Sequence, residues 1–329
     1  MTESLLEYGL FLAKTLTVVA ALAFLVGFTF TASRRARGPE GLKVTSLNSR
    51  LRDAADGLRR ALLPKAERKQ LAKRRKQEDK AAATRRRKRV FVLDFRGDLR
   101  ASGGASLREE VSAVLAVAET GDEVLLRLEN AGGLVHEHGL AASQLTRLRE
   151  RGLPLTVAVD KIAASGGYLM ACVANRIIAA PFAVVGSIGV LAQVPNFRRM
   201  LDERGVRVEQ VKAGRYKRTV SMFGEVTDED RDKLREELEE VHELFQAMVA
   251  KYRPALDLQR VATGEHWYGS RALELGLIDE VGTSDDWLAR AVGEADAWKV
   301  EWRAPKRMIE KLAAAMESGG IGALLRPWR

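Results

Sequence analysis

The chain has 329 residues, enough for one large domain or two small ones with a sizeable core. Its single cysteine, Cys172, excludes an intramolecular disulfide and any cysteine-rich metal site. The charge is uneven. Residues 34–89 hold 21 Lys/Arg against 6 Asp/Glu, a net of +15, so the rest of a +10 chain is −5. The basic balance belongs to one segment, which removes most support for a whole-protein nucleic-acid surface.

In chain order, residues 9–32 ("GLFLAKTLTVVAALAFLVGFTFTA") are apolar apart from Lys14, long enough to span a bilayer. A cleaved signal peptide needs a basic front, but Glu3 and Glu7 precede this run. The expectation is one uncleaved N-terminal transmembrane helix within residues 1–33, in the inner (cytoplasmic) membrane of the cell. Arg34, Arg35 and Arg37 follow it, which by the positive-inside rule puts the body in the cytoplasm. Residues 34–89 read as a basic, partly helical linker, either solvated or lying on anionic lipid. No aromatics interleave its charges, so no specific nucleic acid is expected.

From residue 90 the pattern becomes α/β. "VFVLDF" (90–95), "EVLLRLE" (123–129), "LTVAVD" (155–160) and "RIIAA" (176–180) read as strands. Helical spacing covers 106–119, 136–152 and the run after Ser165. Residues 208–214 ("VEQVKAG") read as a further short strand, and 228–253 as a long helix capped by Thr227. Residues 270–282 read as helix, turn, strand. The apolar segment 177–194 holds a proline and glycines and reads as buried strand and loop, not a second span. The alternation predicts a sheet covered by helices, in a domain over 90–290 with a C-terminal extension over 291–329.

Two glycine turns follow strands in this domain: "NAGGLV" (130–135) and "ASGGY", with Ser165. On one sheet edge, one turn could supply amides and the other a hydroxyl, the pieces that acyl transfer needs. The serine requires a base. No Ser-His-Asp order is convincing. His136 and His138 are two apart on a helix and face different sides, which also makes them a poor metal pair. A lysine made neutral by burial could serve. By pattern alone Lys212 and Lys217, in "KAGRYKRTVSMFGE", are both candidates.

Several motifs in order, "LRLENAGGLVHEHGLAASQL", "DKIAASGGYLMACVANRIIAAPFAVVGSIGV", "AGRYKRT" and "ATGEHWYGSRALELGLIDEV", resemble the SohB and signal peptide peptidase A family of membrane serine peptidases. The resemblance covers about residues 90–285. It implies a ClpP/crotonase-like spiral of β-β-α units and a Ser-Lys dyad without metal or cofactor. On the matching motifs Ser165 is the nucleophile and Lys217, 52 positions on, the general base. The amides of Gly133 or Gly132 and of Gly166 would hold the oxyanion. Ser187 in "VGSIGV" would orient the lysine or satisfy loop backbone. The family commonly has "SPGG" where this chain has "NAGG", so loss of the proline is expected to loosen that turn. The resemblance further implies peptide or protein substrates, among them signal-peptide remnants, a homo-oligomeric ring, and a periplasmic catalytic domain, against the charge rule. The rival expectations are a non-enzymatic membrane scaffold keeping the fold and a crotonase-type acyl-CoA enzyme.

Overall fold

Buried apolar runs pair into a mostly parallel sheet in the computed structural model, which describes residues 41–64 and 87–303 and scattered helical positions between 9 and 19 and between 66 and 75. Its strands are β1 (Gly41–Ser46), β2 (Arg89–Gly97), β3 (Glu123–Asn130), β4 (Leu155–Val159), β5 (Ile162–Ala164), β6 (Arg176–Ala179), β7 (Val184–Gly186), β8 (His266–Tyr268), β9 (Glu280–Val281) and β10 (Asp296–Arg303). Its helices are α1 (Leu47–Leu62), α2 (Gly104–Val117), α3 (Val135–Glu150), α4 (Gly166–Ala171), α5 (Arg198–Asp202), α6 (Asp228–Tyr252), α7 (Leu258–Val261), α8 (Gly269–Glu274) and α9 (Ser284–Glu294). Residues 44–301 fall in one compact unit. Most of the apolar run 9–32 lies outside the described residues. No helix among the described residues is long and apolar enough to cross a membrane.

The sheet runs in the order β1-β10-β2-β3-β4-β6-β9. Parallel strands bury both faces, so their sequences are nearly continuous apolar runs. On one face Phe91, Leu93, Val124, Leu126, Leu155 and Val157 meet α2, α3, α4 and α6 through residues such as Val111, Leu145, Met170 and Val249. On the other, Val90, Val92, Leu125 and Ile178 meet Trp287 and Leu288 of α9. The alternation of faces along each strand follows from the two-residue side-chain period.

The sheet forks. β3 pairs with β4 over Val124–Arg127, yet its last residue, Asn130, pairs with Ala163 of β5. From there β5 continues to β7, and β7 runs antiparallel to β8. The fork brings the ends of β3, β5 and β7 to one place.

The long helix α6 begins as its sequence announces. Thr227 accepts from the Asp230 N–H while Asp230 accepts from the Thr227 N–H, a reciprocal capping box. Segment 177–194 becomes β6, β7 and loop. Residues 208–214 do not form the expected strand. They are exposed throughout, with Val208 and Val211 in solvent, and lie against no strand that could complete a ladder. Conversely, β10 extends the sheet past residue 290 by pairing Asp296–Lys299 with Arg89–Val92. Residues 47–62, inside the segment expected to be linker, form a helix whose start is tied to the body. Asn48 donates to the Ala295 carbonyl at 2.9 Å and accepts from the Ala297 N–H at 2.7 Å.

Asp94 on β2 sits between Arg127, which donates twice at 2.5 and 2.8 Å, and Lys299 Nζ at 2.8 Å. Burial alone would raise this carboxyl, but the two cations outweigh it and hold it below the usual carboxylate range. A depressed folded-state pKa gives stability that is present above the unfolded value near 4 and lost as pH falls toward the folded value. Asp94→Asn is therefore expected to cost about 1–3 kcal/mol at pH 7 and less below about pH 4. Urea unfolding at both pH values checks this; an equal loss at both would refute it.

Candidate active site

The fork sets Ser165 at the junction of β5 and α4. Its N–H donates to the Gly186 carbonyl at the end of β7 (2.8 Å), and its carbonyl accepts from Leu169 N–H (2.9 Å). These bonds hold Ser165 at φ +51°, a left-handed conformation rare for a residue with a side chain. Ser165 occupies the position before the helix, but its side chain makes no capping bond. The sequence left open whether this serine is a cap; the hydroxyl does not spend itself that way.

The 130–133 turn closes against Ser165. Gly132 has φ +92°, and a Cβ there would stand 2.7 Å from Ser165 Cβ and 2.9 Å from the Gly166 nitrogen. Only glycine permits that approach. The Gly132 N–H itself is committed, donating to Asn130 Oδ1 at 2.8 Å. Among the described residues, neither the Gly133 nor the Gly166 N–H donates to a protein acceptor. A half-buried hydroxyl thus lies beside glycine turns with uncommitted amides, which is what a nucleophile and an oxyanion pocket require.

Ser187 follows Gly186 directly, so it belongs to the same junction. It has φ +53°, and its N–H donates to the Glu265 carbonyl at 2.6 Å. Lys217 closes a turn with Gly214, its N–H 3.2 Å from that carbonyl. It is exposed in the single chain and is not hydrogen-bonded to Ser165. Lys212 Nζ donates to the Arg218 carbonyl at 3.4 Å. It lines a cavity of about 910 Å³ together with Arg198, Phe223 and Asp230, which includes neither Ser165 nor Lys217. His136 is exposed and His138 fully buried, so the two face apart as their spacing requires. No cluster of metal-ligating side chains exists among the described residues. Cys172 is buried, its thiol pushed up to about 12 by burial, and is inert packing.

Residues 3–145 match the peptidase family S49 N-terminal region and residues 147–297 match peptidase family S49. The chain belongs to peptidase family S49. It is 44% identical to the probable protease SohB of Haemophilus influenzae, over 99% of this chain and 97% of that one. It is 43% identical to the probable protease SohB of Buchnera aphidicola subsp. Acyrthosiphon pisum, over 98% and 97%. Two solved mutant forms of the 1510-N membrane-bound stomatin-specific protease also resemble it, at 13% and 10% identity with TM-scores of 0.39 and 0.41. They cover 63% and 71% of this chain and 86% and 99% of their own; the second is in complex with a substrate peptide. Membership of a peptidase family implies peptide or protein substrates.

In this S49 chain the sequence flagged Asn130 only as a departure from the common motif. The structure makes it the residue that shapes the turn. An asparagine two positions before a glycine is the signature of a side chain that bonds its own backbone two residues on, and it could have been read.

Proposed function

We propose that this chain is a membrane-anchored serine endopeptidase of ClpP/crotonase-like fold that uses Ser165 and Lys217 as a dyad. The observation that carries the reading is the left-handed, uncapped Ser165 beside the Gly132–Gly133 turn and the Gly166 amide. In the proposed reaction Lys217 Nζ, neutral, takes the Ser165 hydroxyl proton. Oγ then attacks the peptide carbonyl carbon, and the oxygen that becomes negative accepts from the Gly133 and Gly166 amides. Lys217 passes the proton to the leaving amine, and an acyl-enzyme remains. Lys217 then takes a proton from water, the hydroxide attacks the ester carbonyl, and as the C–Oγ bond breaks Lys217 returns the proton to Ser165 Oγ, releasing the acid product.

A lysine serves as base only in its neutral form, which burial favours. Lys217 stands exposed in the single chain, on a loop that also exposes Val211, Met222 and Phe223. A neighbouring copy covering that loop would supply the burial, which agrees with a ring assembly. The substrates we propose are signal-peptide remnants and other unfolded, apolar segments, reached from an anchor over residues 9–32. The basic segment after that anchor favours a cytoplasmic body. A reporter fused after residue 89 that is active only in the periplasm would reverse the side.

The deciding experiment is covalent labelling of detergent-solubilised protein with a serine-reactive phosphonate, located by mass spectrometry. The expected adduct is on Ser165. A folded assembly that takes no label, or takes it elsewhere, refutes the reading.

A further inference from the structure

Asn130 ends β3 at the fork and is 1% exposed. Because the Gly132 N–H points at it from 2.8 Å, the atom there must be the oxygen, which fixes the orientation of the side-chain amide. The Nδ2 end reaches Met170 Sδ at 3.4 Å. The same Oδ1 faces His138 Nε2 at 3.2 Å. His138 is fully buried in the first turn of α3, and its Nδ1 lies 3.0 Å from the Leu134 carbonyl. Both ring nitrogens therefore face acceptors. The Nε2–H tautomer serves Asn130; only the doubly protonated ring serves both.

The ring also packs on the second amide segment. A Cβ placed on Gly166 would stand 2.5 Å from His138 Cγ. One buried polar pair thus reaches both halves of the oxyanion pocket. Asn130 shapes the turn that carries Gly133, and His138 bears on Gly166. Burying two polar side chains in an apolar core costs free energy that apolar residues of the same size would not. What the pair supplies instead is a fixed geometry.

We propose that Asn130 and His138 are positioning residues that set the separation and aim of the Gly133 and Gly166 amides. The proposal rests on the serine-peptidase reading. The oxyanion forms only as the reaction proceeds, so misaimed donors lower kcat and leave KM nearly unchanged. Losing one donor outright costs about 10²–10³-fold, and tilting one should cost less.

The test uses the full chain in detergent. Asn130→Ala and His138→Leu should each lower kcat about 10- to 100-fold, with KM within about twofold. The double variant should be little worse than the poorer single one, because the two act as a unit. Asn130→Asp keeps the acceptor and His138→Gln keeps a donor, so both should stay within about fivefold of wild type. A loss carried by KM, or conservative variants as poor as the truncations, overturns the proposal. A second readout does not need turnover. Amide hydrogen exchange across residues 130–134 should quicken at least about tenfold in Asn130→Ala. If the wild type shows no Ser165-dependent turnover, the peptidase reading fails and the exchange readout still decides. Faster exchange upholds the pair as the clamp of this turn; unchanged exchange overturns it.

Discussion

Lys217→Ala is expected to lower peptide-bond turnover by about 10⁴-fold or more, whereas Lys212→Ala should cost less than about tenfold. The two lysines share one short loop, and the sequence pattern does not separate them. The structure gives Lys212 other business. It bonds the Arg218 carbonyl and lines a cavity that excludes Ser165. Among the described residues Lys217 is bonded only through its backbone, at the end of a turn opened by Gly214, whose φ is +92°. Its side chain remains available to a partner that the single chain does not supply. In the proposed mechanism the base both deprotonates the nucleophile and protonates the leaving group, so its removal takes away two roles at once and the effect should approach that of losing Ser165. Phosphonate labelling of Ser165 should fall in parallel. If Lys217→Ala labels and turns over normally while Lys212→Ala does not, the assignment of the base is reversed.

Gly167→Ala is expected to remove both fold and activity. A Cβ on Gly167 would stand 2.1 Å from the Asn130 carbonyl oxygen and 3.2 Å from Asn130 Cβ. Neither neighbour can yield. The oxygen belongs to the end of β3, and Asn130 is held by the turn and by His138. The start of α4 must then retreat from the sheet, opening the core around Tyr168 and Met170. Overpacking of this kind costs about 1–3 kcal/mol where the site adapts, and more against rigid backbone. Thermal unfolding checks it, with Gly139→Ala as the control, because nothing lies within 4 Å of a Cβ there. A melting temperature for Gly167→Ala equal to that of the control would refute the packing argument.

Legibility in the sequence followed burial. β2, β3 and β4 could be read because strands covered on both faces are continuous apolar runs, and α6 because Thr227 and Asp230 spell its cap. The turn glycines at 132 and 167 could be read because close backbone approach leaves no other residue type. What could not be read depends on partners far along the chain. Residues 208–214 read as a short strand yet pair with no strand among the described residues, while β10 finds its edge on β2, about 200 residues away. The three-residue strands β5, β7 and β8 carry too little pattern to announce the fork that gathers the site. The turn expected to be loosened by "NAGG" has a bond that the sequence reading did not weigh. The turn that lost a proline is held by the Asn130 side chain instead.

The left-handed backbone of Ser165 has a cost, and the bonds to Gly186 and Leu169 hold the residue there against it. Holding a residue with a Cβ in such a conformation takes about 1–3 kcal/mol, which a glycine would not incur. At this position the residue best for folding and the residue best for chemistry are different. If Ser165 is the nucleophile as proposed, the domain carries it under strain held by the surrounding strands, and Ser165→Gly is expected to be sturdier and inert.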